Sequence, residues 1–290
     1  MRHIAMPAFA KLNLGLEVLR RREDGYHEIN TVFARVRLAD MLLLRRNDDD
    51  DDGTISLSCS TDLNIPANEN LAYQAAERLQ MALGVNSGAH IELQKHIPSG
   101  AGLGGGSSDA AAVLRQLPNL WDVEAPECTL HKVAAGLGSD VPFFLEDSAA
   151  VGRGRGEQLE RFDFRIPWWT LIAHPGIHVS TPWAYQALGR REGVDGPEPT
   201  DFRAALLESL SDPGILRERL HNDFEPVVFA EYPHVRELRD QLYAAGAHYA
   251  AMSGSGSAVF AFFSDATGAH AAAAALNEPF VHVCAPFDGD

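Results

Sequence analysis

Apolar and polar residues alternate along much of the first sixty positions, which is the period of a half-buried β-strand. Ala10 to Leu16 alternate in one stretch, Ile55 and Leu57 alternate in a later one, and Met41 to Leu44 form an apolar run between them. This pattern predicts that the fold opens with a β-meander, from Ala8 to about Ser60.

The spacing of apolar residues then changes to the helical one, with repeats at three and four positions. It predicts a helix from about Asn70 to Leu83 and a strand that includes Ile91 to Ile97. A second helix carries Ala110 to Leu117, and a third carries Leu130 to Leu137 and ends at Gly138.

The C-terminal part has a different order of elements. A buried strand is predicted at Trp168 to Ala173, and a surface loop at Gly189 to Pro199, where charged residues mix with glycine and proline. The elements predicted after that loop are helices at Phe202–Leu210, Asn222–Phe229, Val235–Ala245 and Ala266–Leu276, and strands at His248–Met252, Ala258–Phe263 and Val281–Cys284. Helix, strand, strand, helix, strand is most of a split βαβ sandwich. We therefore predict an α+β protein with two domains, 1–163 and 164–290.

Composition and charge narrow the class of protein. Hydrophobic residues make up 46% of the 290-residue chain, which suffices for a substantial core. With 24 basic and 40 acidic residues the formal charge is −16, so no nucleic acid or acidic membrane partner is expected. Three cysteines without a C-x-x-C pair favour a reducing, cytoplasmic location. The N-terminal apolar run is too short for a signal peptide, and Ala271–Leu276 is too short to span a bilayer.

The segment Pro98–Ser108 has five glycines and links a predicted strand to a helix start. Glycine allows positive φ and close approach of an anion to the backbone, while a helix N-terminus offers unpaired N–H groups and a positive dipole end. Ser107 and Ser108 add hydroxyl groups at the point where the helix begins. A phosphate cradle is therefore predicted; a mobile glycine hinge is the alternative.

Three nucleotide motifs can be compared with this loop. A P-loop requires a lysine before its final Ser or Thr, and none is present. Gly100–Gly105 satisfies G-x-G-x-x-G, yet about a hundred residues of mostly strand-like pattern precede it, unlike a first βαβ unit. The His-Arg-Asp and Asp-Phe-Gly elements of protein kinases are missing from the sequence.

Two further segments carry charged groups suited to catalysis. Lys11 and Asn13 project from one face of the first strand, which is either an ordinary solvent face or part of a site. Asp140 lies between Gly138 and Pro142, where it either caps the next turn or accepts a proton. If Lys11 reaches Asp140, the ammonium group favours the ionised carboxylate.

Three more segments have two interpretations each. Asp24–His27 is either a tight turn or an aromatic platform for a planar base. Ser253–Ser257 is either a hairpin or a second backbone-lined anion nest. The five aspartates within Asn47–Gly53 could suggest a cation site, but a solvated hairpin turn is favoured.

Together these segments resemble the GHMP kinase superfamily. The lysine strand, the loop Pro-x-x-x-Gly-Leu-Gly-Gly-Gly-Ser-Ser and the late Gly-Ser-Gly loop match its three motifs in order. Ala10–Leu14, Asp24–His27, Gly138–Phe143 and Thr181–Pro182 together resemble one member of this superfamily. The resemblance implies that the chain uses ATP to phosphorylate the 2-hydroxyl of a cytidine-diphosphate-linked methylerythritol, in the non-mevalonate route to isoprenoid precursors. The resemblance extends over nearly the whole chain and implies a two-domain GHMP kinase fold, with an S5-like N-terminal domain and a ferredoxin-like C-terminal domain.

The resemblance also implies roles for individual residues. Asp140 is the expected base and Lys11 its charged partner. The residues expected to bind the cytidylyl substrate are Asn13, Tyr26, His27, Thr181, Pro182 and Tyr185. Asn70 and Leu71 are expected near the adenine. The ATP phosphates are expected to be bound by Pro98, Ser99, Gly100, Ala101, Gly102, Leu103, Gly104, Gly105, Gly106, Ser107 and Ser108. Mg²⁺ is expected with ATP; its ligands stay open, with Ser108 and Asp109 as candidates.

Two departures from the family pattern are visible, and neither removes a functional group. The family pattern usually has a proline two residues before the strand lysine, whereas here Ala8, Phe9 and Ala10 lie between Pro7 and Lys11. Ala101 also stands where relatives often have glycine. Three alternatives stay open: another small-molecule GHMP kinase acting on a mevalonate derivative, homoserine or a sugar; a nucleotide-binding regulator without catalysis; and a dinucleotide-dependent oxidoreductase.

Overall fold

The computed structural model describes residues 2–46, 53–61, 65–190 and 198–287. Most of the aspartate-rich turn predicted at 47–53 and of the loop predicted at 189–199 lies outside these ranges. The chain forms two compact units, and we describe each by itself. The first unit comprises Met1–Ala10, Leu38–Ser99 and Gly104–Asp147, and the second comprises Lys11–Arg37, Gly100–Leu103 and Ser148–Asp290. The predicted domain boundary at residue 163 stays a prediction.

Two long strands contribute residues to both units. They are β1 (His3–Arg21) and β2 (His27–Arg45), and β1 pairs with β2. The remaining elements of the first unit are β3 (Ile55–Cys59), α1 (Leu71–Leu83), β4 (Ala89–Gln94), α2 (Gly105–Trp121), α3 (Glu127–Leu137) and a short 3₁₀ helix at Val141–Leu145. These elements confirm the strand-rich opening and the three helices predicted for this region. The predicted β-meander is wrong, because among the described residues β3 lies beside β4, in parallel, and not beside β2.

The core of the first unit packs α1 and α2 together. Ala75 and Leu79 of α1 and Leu114 and Leu117 of α2 are fully buried, as expected for the apolar stripes of two amphipathic helices. Strand β4 pairs antiparallel with β2 and parallel with β3. It ends one residue before Lys95, and the glycine-rich segment follows shortly afterwards.

The second unit contains the rest of the chain. Its elements are β5 (Ala149–Arg153), β6 (Gln158–Phe162), β7 (Trp169–His174), α4 (Thr181–Leu188), α5 (Phe202–Ser209), α6 (Gly214–Arg219), α7 (Glu225–Glu231), α8 (Pro233–Ala244), β8 (Tyr249–Met252), β9 (Val259–Phe263), α9 (Ala266–Ala275) and β10 (Phe280–Cys284). Here β2 pairs with β5, and β5 with β6. A second sheet has the order β10, β7, β9, β8, with antiparallel neighbours. The order α8, β8, β9, α9, β10 matches the predicted order of helix, strand, strand, helix, strand, which is that of a split βαβ sandwich.

The structure adds helices that the apolar pattern did not predict. Helix α4 fully buries only Ala184 and α6 only Leu216, and with 8 and 6 residues both helices are too short to show a helical period. The helix predicted from Asn222 begins instead at Glu225, because the Asn222 side chain accepts a hydrogen bond from the Phe224 N–H and donates to the Met252 and Gly254 carbonyls. Among the helices in the described ranges, none combines the length and apolar character that a membrane span requires.

Candidate active site

Helix α2 of the first unit begins inside the glycine-rich segment. Gly104 precedes it with a φ of 69°, a left-handed conformation that favours glycine. The Ser108 N–H donates to the Gly104 carbonyl, which leaves the N–H groups of Gly105, Gly106 and Ser107 at the open end of the helix. A Cβ on Gly105 would lie 3.0 Å from Ile97 Cγ2, so space also favours glycine there. The first turn can therefore present backbone donors to an anion.

The two serines of this turn differ in their surroundings. Ser107 is half-buried, whereas Ser108 is buried and its hydroxyl donates to the Phe9 carbonyl at 2.7 Å. The Ser108 hydroxyl proton is thus used inside the first unit, and the backbone N–H groups are the principal donors of this turn.

The predicted adenine residues lie beside the same turn. The Asn70 side chain accepts a hydrogen bond from the Ala72 N–H at 2.9 Å and caps α1, which begins at Leu71. A Cβ on Gly106 would lie 3.7 Å from Leu71 Cδ1, an ordinary van der Waals contact. The start of α1 and the start of α2 are therefore neighbours within the first unit.

Three charged side chains are buried behind the first turn of α2, and sequence reasoning missed two of them. Lys95 donates to Asp109 Oδ2 at 2.9 Å and also to Asp40 Oδ2. Burial is the largest influence on Asp109 and raises the pKa of this carboxyl to about 7, although the Lys95 ammonium acts in the opposite direction. The separations along the chain give no local pattern by which Asp40 and Lys95 could have been recognised.

The two candidate ligands for Mg²⁺, Ser108 and Asp109, are both almost fully buried. Asp109 is 2% exposed and its carboxylate is paired with the Lys95 ammonium, which would repel a cation. Ser108 is 4% exposed and donates to a backbone carbonyl. Mg²⁺ prefers oxygen ligands and usually retains several waters and substrate phosphates, so a dry, ion-paired position does not fit it.

In the second unit, Lys11 and Asn13 lie on the same side of β1, as predicted. Lys11 Nζ donates to Asn13 Oδ1 at 2.5 Å and to the Gly102 carbonyl at 3.2 Å. Asn13 Nδ2 in turn donates to Thr31 Oγ1 at 2.8 Å, which fixes the orientation of the amide. Both Lys11 and Asn13 are 4% exposed. An ordinary solvent face is thereby excluded, and the ammonium group has a defined position beside the glycine-rich segment.

The segment Ser253–Ser257 packs against Gly100–Leu103 within the second unit. Ser253 Oγ donates to the Gly102 carbonyl at 2.9 Å and accepts from the Asn13 N–H. A Cβ on Gly102 would lie 2.1 Å from the Ser253 carbonyl oxygen, so only glycine fits. The N–H groups of Ser253 and Gly256 donate within this segment and its flanks, which leaves fewer amides for the predicted anion nest. Ser255 Oγ lies 2.8 Å from Thr181 Oγ1, which brings Thr181 to the same place.

Two of the three predicted aromatic residues, His27 and Tyr185, are in contact in the second unit. His27 stacks on Tyr185 with ring centroids 4.6 Å apart, and burial lowers the pKa of His27. Tyr26 is 55% exposed, and the Arg155 guanidinium lies 4.6 Å from its ring centroid. Tyr185 follows Pro182, which occupies the first turn of α4. The tight turn and the aromatic platform are therefore compatible, since the turn at Gly25 presents an exposed Tyr26.

Asp140 lies in the first unit, at the start of the 3₁₀ helix Val141–Leu145. Its side chain makes no capping hydrogen bond to this helix, so the capping interpretation is not supported. The residue is half-buried. Lys11 belongs to the second unit, and the pairing of Lys11 with Asp140 stays a prediction.

Comparisons with known proteins agree with these features. Residues 70–147 match the GHMP kinases N terminal domain, and residues 202–282 match the GHMP kinases C terminal domain. A 4-diphosphocytidyl-2-C-methyl-D-erythritol kinase from Chlorobium phaeobacteroides is 43% identical over 290 residues, covering 99% of both chains. One from Chlorobaculum tepidum is 42% identical and covers 97% of this chain and 96% of its own.

Solved structures give the same relation. A crystal structure of 4-(cytidine 5'-diphospho)-2C-methyl-D-erythritol kinase has a TM-score of 0.82 at 38% identity, covering 99% of this chain and 100% of its own. A homoserine kinase from Cytophaga hutchinsonii has a TM-score of 0.71 at 19% identity, covering 98% and 95%. The homoserine kinase shares the fold, but at this identity the similarity says nothing about the substrate of the present chain.

Proposed function

Because this chain belongs to the 4-diphosphocytidyl-2-C-methyl-D-erythritol kinases, a family with the GHMP kinase fold, we propose that it phosphorylates the 2-hydroxyl of that cytidylyl substrate with ATP. This is a step of the non-mevalonate route to isoprenoid precursors. The observation that carries the proposal is the near full-length relation to such kinases, and the buried Lys11–Asn13 pair beside Gly102 supports it.

Phosphoryl transfer requires mainly alignment of the reacting groups and neutralisation of charge on the moving phosphoryl group. We propose that the first turn of α2 binds the ATP phosphates through backbone N–H groups, with the adenine near Asn70 and Leu71. The ammonium of Lys11, held by Asn13, stabilises the negative charge that is transferred. Mg²⁺ enters as part of the MgATP substrate.

For the acceptor, we propose that Asp140 accepts the proton of the 2-hydroxyl while Lys11 keeps the carboxylate ionised. A nearby ammonium lowers the basicity of a carboxylate, so proton removal occurs late and positioning contributes more than basicity. Tyr26, His27 and Tyr185 provide the aromatic surface for the cytosine, and Thr181, Pro182 and Asn13 bind the remainder of the substrate. An anionic small molecule with a cytidine diphosphate group is therefore the expected partner.

The experiment that tests this function is an ADP-release assay with MgATP. The cytidylyl methylerythritol substrate is compared with mevalonate phosphate and with homoserine, each over the same concentration range. Turnover with the first substrate alone supports the proposal. Turnover with either of the others, and none with the first, would refute it.

We also propose that the protein is located in the cytoplasm. Its three cysteines are free thiols, as expected in a reducing compartment.

A further inference from the structure

Asp40, Lys95 and Asp109 form a buried charged cluster in the first unit, which we call the Lys95 cluster. Asp40 lies on β2, Lys95 follows β4, and Asp109 lies in α2, so the three residues come from different parts of the chain. The exposed fractions of the three side chains are 0%, 8% and 2%. Nothing in the proposed reaction uses these groups directly.

The contacts of this cluster fix the chain on both sides of the glycine-rich segment. Asp40 Oδ1 accepts hydrogen bonds from the N–H groups of His96 at 2.5 Å and Ile97 at 2.9 Å, directly before Pro98. Lys95 Nζ bonds Asp109 and would lie 3.3 Å from a Cβ on Gly105, the first residue of α2. The ammonium is thus packed directly against the first turn of the helix.

Stability alone gives no reason for such a cluster. Removing three charges from water costs several kcal/mol per ion, and well-packed apolar residues of similar volume would often stabilise the fold as well or better. Charged groups differ from apolar ones in that their hydrogen bonds fix directions and distances. Asp109 Oδ1 is also buried without a hydrogen-bond partner among the described residues, so this carboxylate depends on Lys95 for its compensation.

We propose that Asp40, Lys95 and Asp109 are positioning residues, which hold the first turn of α2 in the orientation that binds the ATP phosphates. Lys95 also has an electrostatic effect. Its ammonium neutralises the carboxylate of Asp109, which lies one turn inside α2 and would otherwise repel an anion at the N-terminus of this helix. The inference rests on the proposed use of this turn for ATP. It does not depend on the identity of the phosphoryl acceptor.

The test compares Lys95→Met with Arg115→Met. Arg115 lies on the same helix and pairs with Asp147 in an exposed salt bridge, so its replacement removes a cation of α2 outside the cluster. For Lys95→Met we expect the Kd of MgADP, measured by calorimetry, to rise about tenfold or more, as when supporting partners of a preorganised site are lost. The KM of the cytidylyl substrate should stay within about twofold, because none of its proposed binding residues belongs to the Lys95 cluster. Arg115→Met should change neither value.

A second variant keeps the test decisive if Lys95→Met does not fold. Asp109→Asn preserves an oxygen acceptor for Lys95 and removes one charge, and circular dichroism verifies that it is folded. A Kd for MgADP raised about threefold or more in this variant supports the proposal, because small displacements of a first turn weaken its donors. An unchanged Kd in a folded variant, or equal changes for nucleotide and cytidylyl substrate, would overturn it. Nucleotide binding is measured without the acceptor, so failure of the proposed acceptor specificity would be seen separately.

Discussion

At the scale of single residues, the candidate site depends on polar side chains whose orientation is fixed by other side chains. Asn13 receives a hydrogen bond from Lys11 and donates one to Thr31, and Thr31 Oγ1 donates to the Gly15 carbonyl at 2.7 Å. Such a chain leaves the Lys11 ammonium little freedom to rotate. Preorganised charge of this kind lowers the cost of reorganisation during the reaction.

Asp140→Asn is the most direct test of the proposed base. The amide cannot accept the proton, so we expect kcat to fall about a hundredfold to ten-thousandfold, the range typical of general base catalysis. The Kd of MgADP should be unchanged, because Asp140 is not among the residues proposed to bind the nucleotide. Asp163→Asn, at an exposed position, is the matched control. Turnover close to that of the unmodified protein would refute the role of Asp140.

Glu17 in the second unit provides a pH-dependent contribution to stability. Its burial alone would raise the pKa, but hydrogen bonds from His221, Thr200 and Asn30 outweigh burial and lower the pKa of Glu17 from 4.5 to about 2. A lowered carboxyl pKa stabilises the folded state above the unfolded pKa, and this contribution is lost as the pH falls from about 4.5 to about 2.

We therefore expect Glu17→Gln to lower the free energy of unfolding at pH 7 by roughly 1–3 kcal/mol, the range for a buried charged hydrogen-bonding group. The difference from the unmodified protein should shrink as the pH falls from 4.5 towards 2. Urea unfolding at several pH values measures both effects, with exposed Glu208→Gln as the control. A difference that is independent of pH over this range would contradict the prediction.

At the scale of elements, close packing by itself constrains the glycine-rich segment. Gly102 has a φ of +82°, and a Cβ there would overlap the Ser253 carbonyl oxygen. Residues 100–103 therefore need glycine at this position even without a nucleotide. Each glycine of such a motif can be required by backbone conformation, by packing or by ligand binding. The residue pattern alone does not show which of these requirements applies at a given position.

Gly102→Ala tests the packing requirement. Because both φ and the 2.1 Å contact oppose a side chain, we expect a loss of at least about 2 kcal/mol in the free energy of unfolding, together with weaker activity. Gly136→Ala is the matched control: Gly136 lies within α3, and its Cβ would have no contact nearer than 3.6 Å. That change should be neutral or stabilising by about 0.5–1 kcal/mol, since alanine is the better helix former. Equal effects of the two changes in unfolding experiments would contradict the argument.

At the scale of the whole molecule, the elements were predictable where apolar residues keep one period, as in β1, α1 and α2. Short helices such as α4 were not, since 8 residues make little more than two turns and are too few to establish a period. Lys11 and Asn13 could be placed on one face from their spacing, but their partners lie far along the chain: Gly102 is 91 residues from Lys11, and Ser253 is 240 residues from Asn13. The same holds for Asp40 and Lys95, which are 55 residues apart. Long-range pairing of charges leaves no local signal.

The two proposed substrates can be examined separately through their effect on the stability of the whole chain. A ligand that binds only the folded state stabilises it by RT ln(1 + [L]/Kd), which is about 2.7 kcal/mol at one hundred times Kd. We expect MgADP at this excess to raise the melting temperature by roughly 4–5 °C, because the entropy of unfolding of a 290-residue chain is about 0.6 kcal/mol/K, and cytidine 5'-diphosphate to do the same. NADH should have no effect, because a dinucleotide-dependent oxidoreductase is the alternative that the family relation disfavours.

Tyr26→Ala separates the two ligands. Tyr26 is exposed and belongs to the second unit, whereas the first turn of α2 belongs to the first, so the variant should lose the shift caused by cytidine 5'-diphosphate and retain the shift caused by MgADP. In the kinase assay it should raise the KM of the cytidylyl substrate, because an aromatic face for the base is lost. Met81→Ala is the matched control, because Met81 is 77% exposed and lies near the C-terminal end of α1, away from the proposed adenine residues at its start. If Tyr26→Ala lost the MgADP shift instead, the assignment of the two binding regions would have to be exchanged.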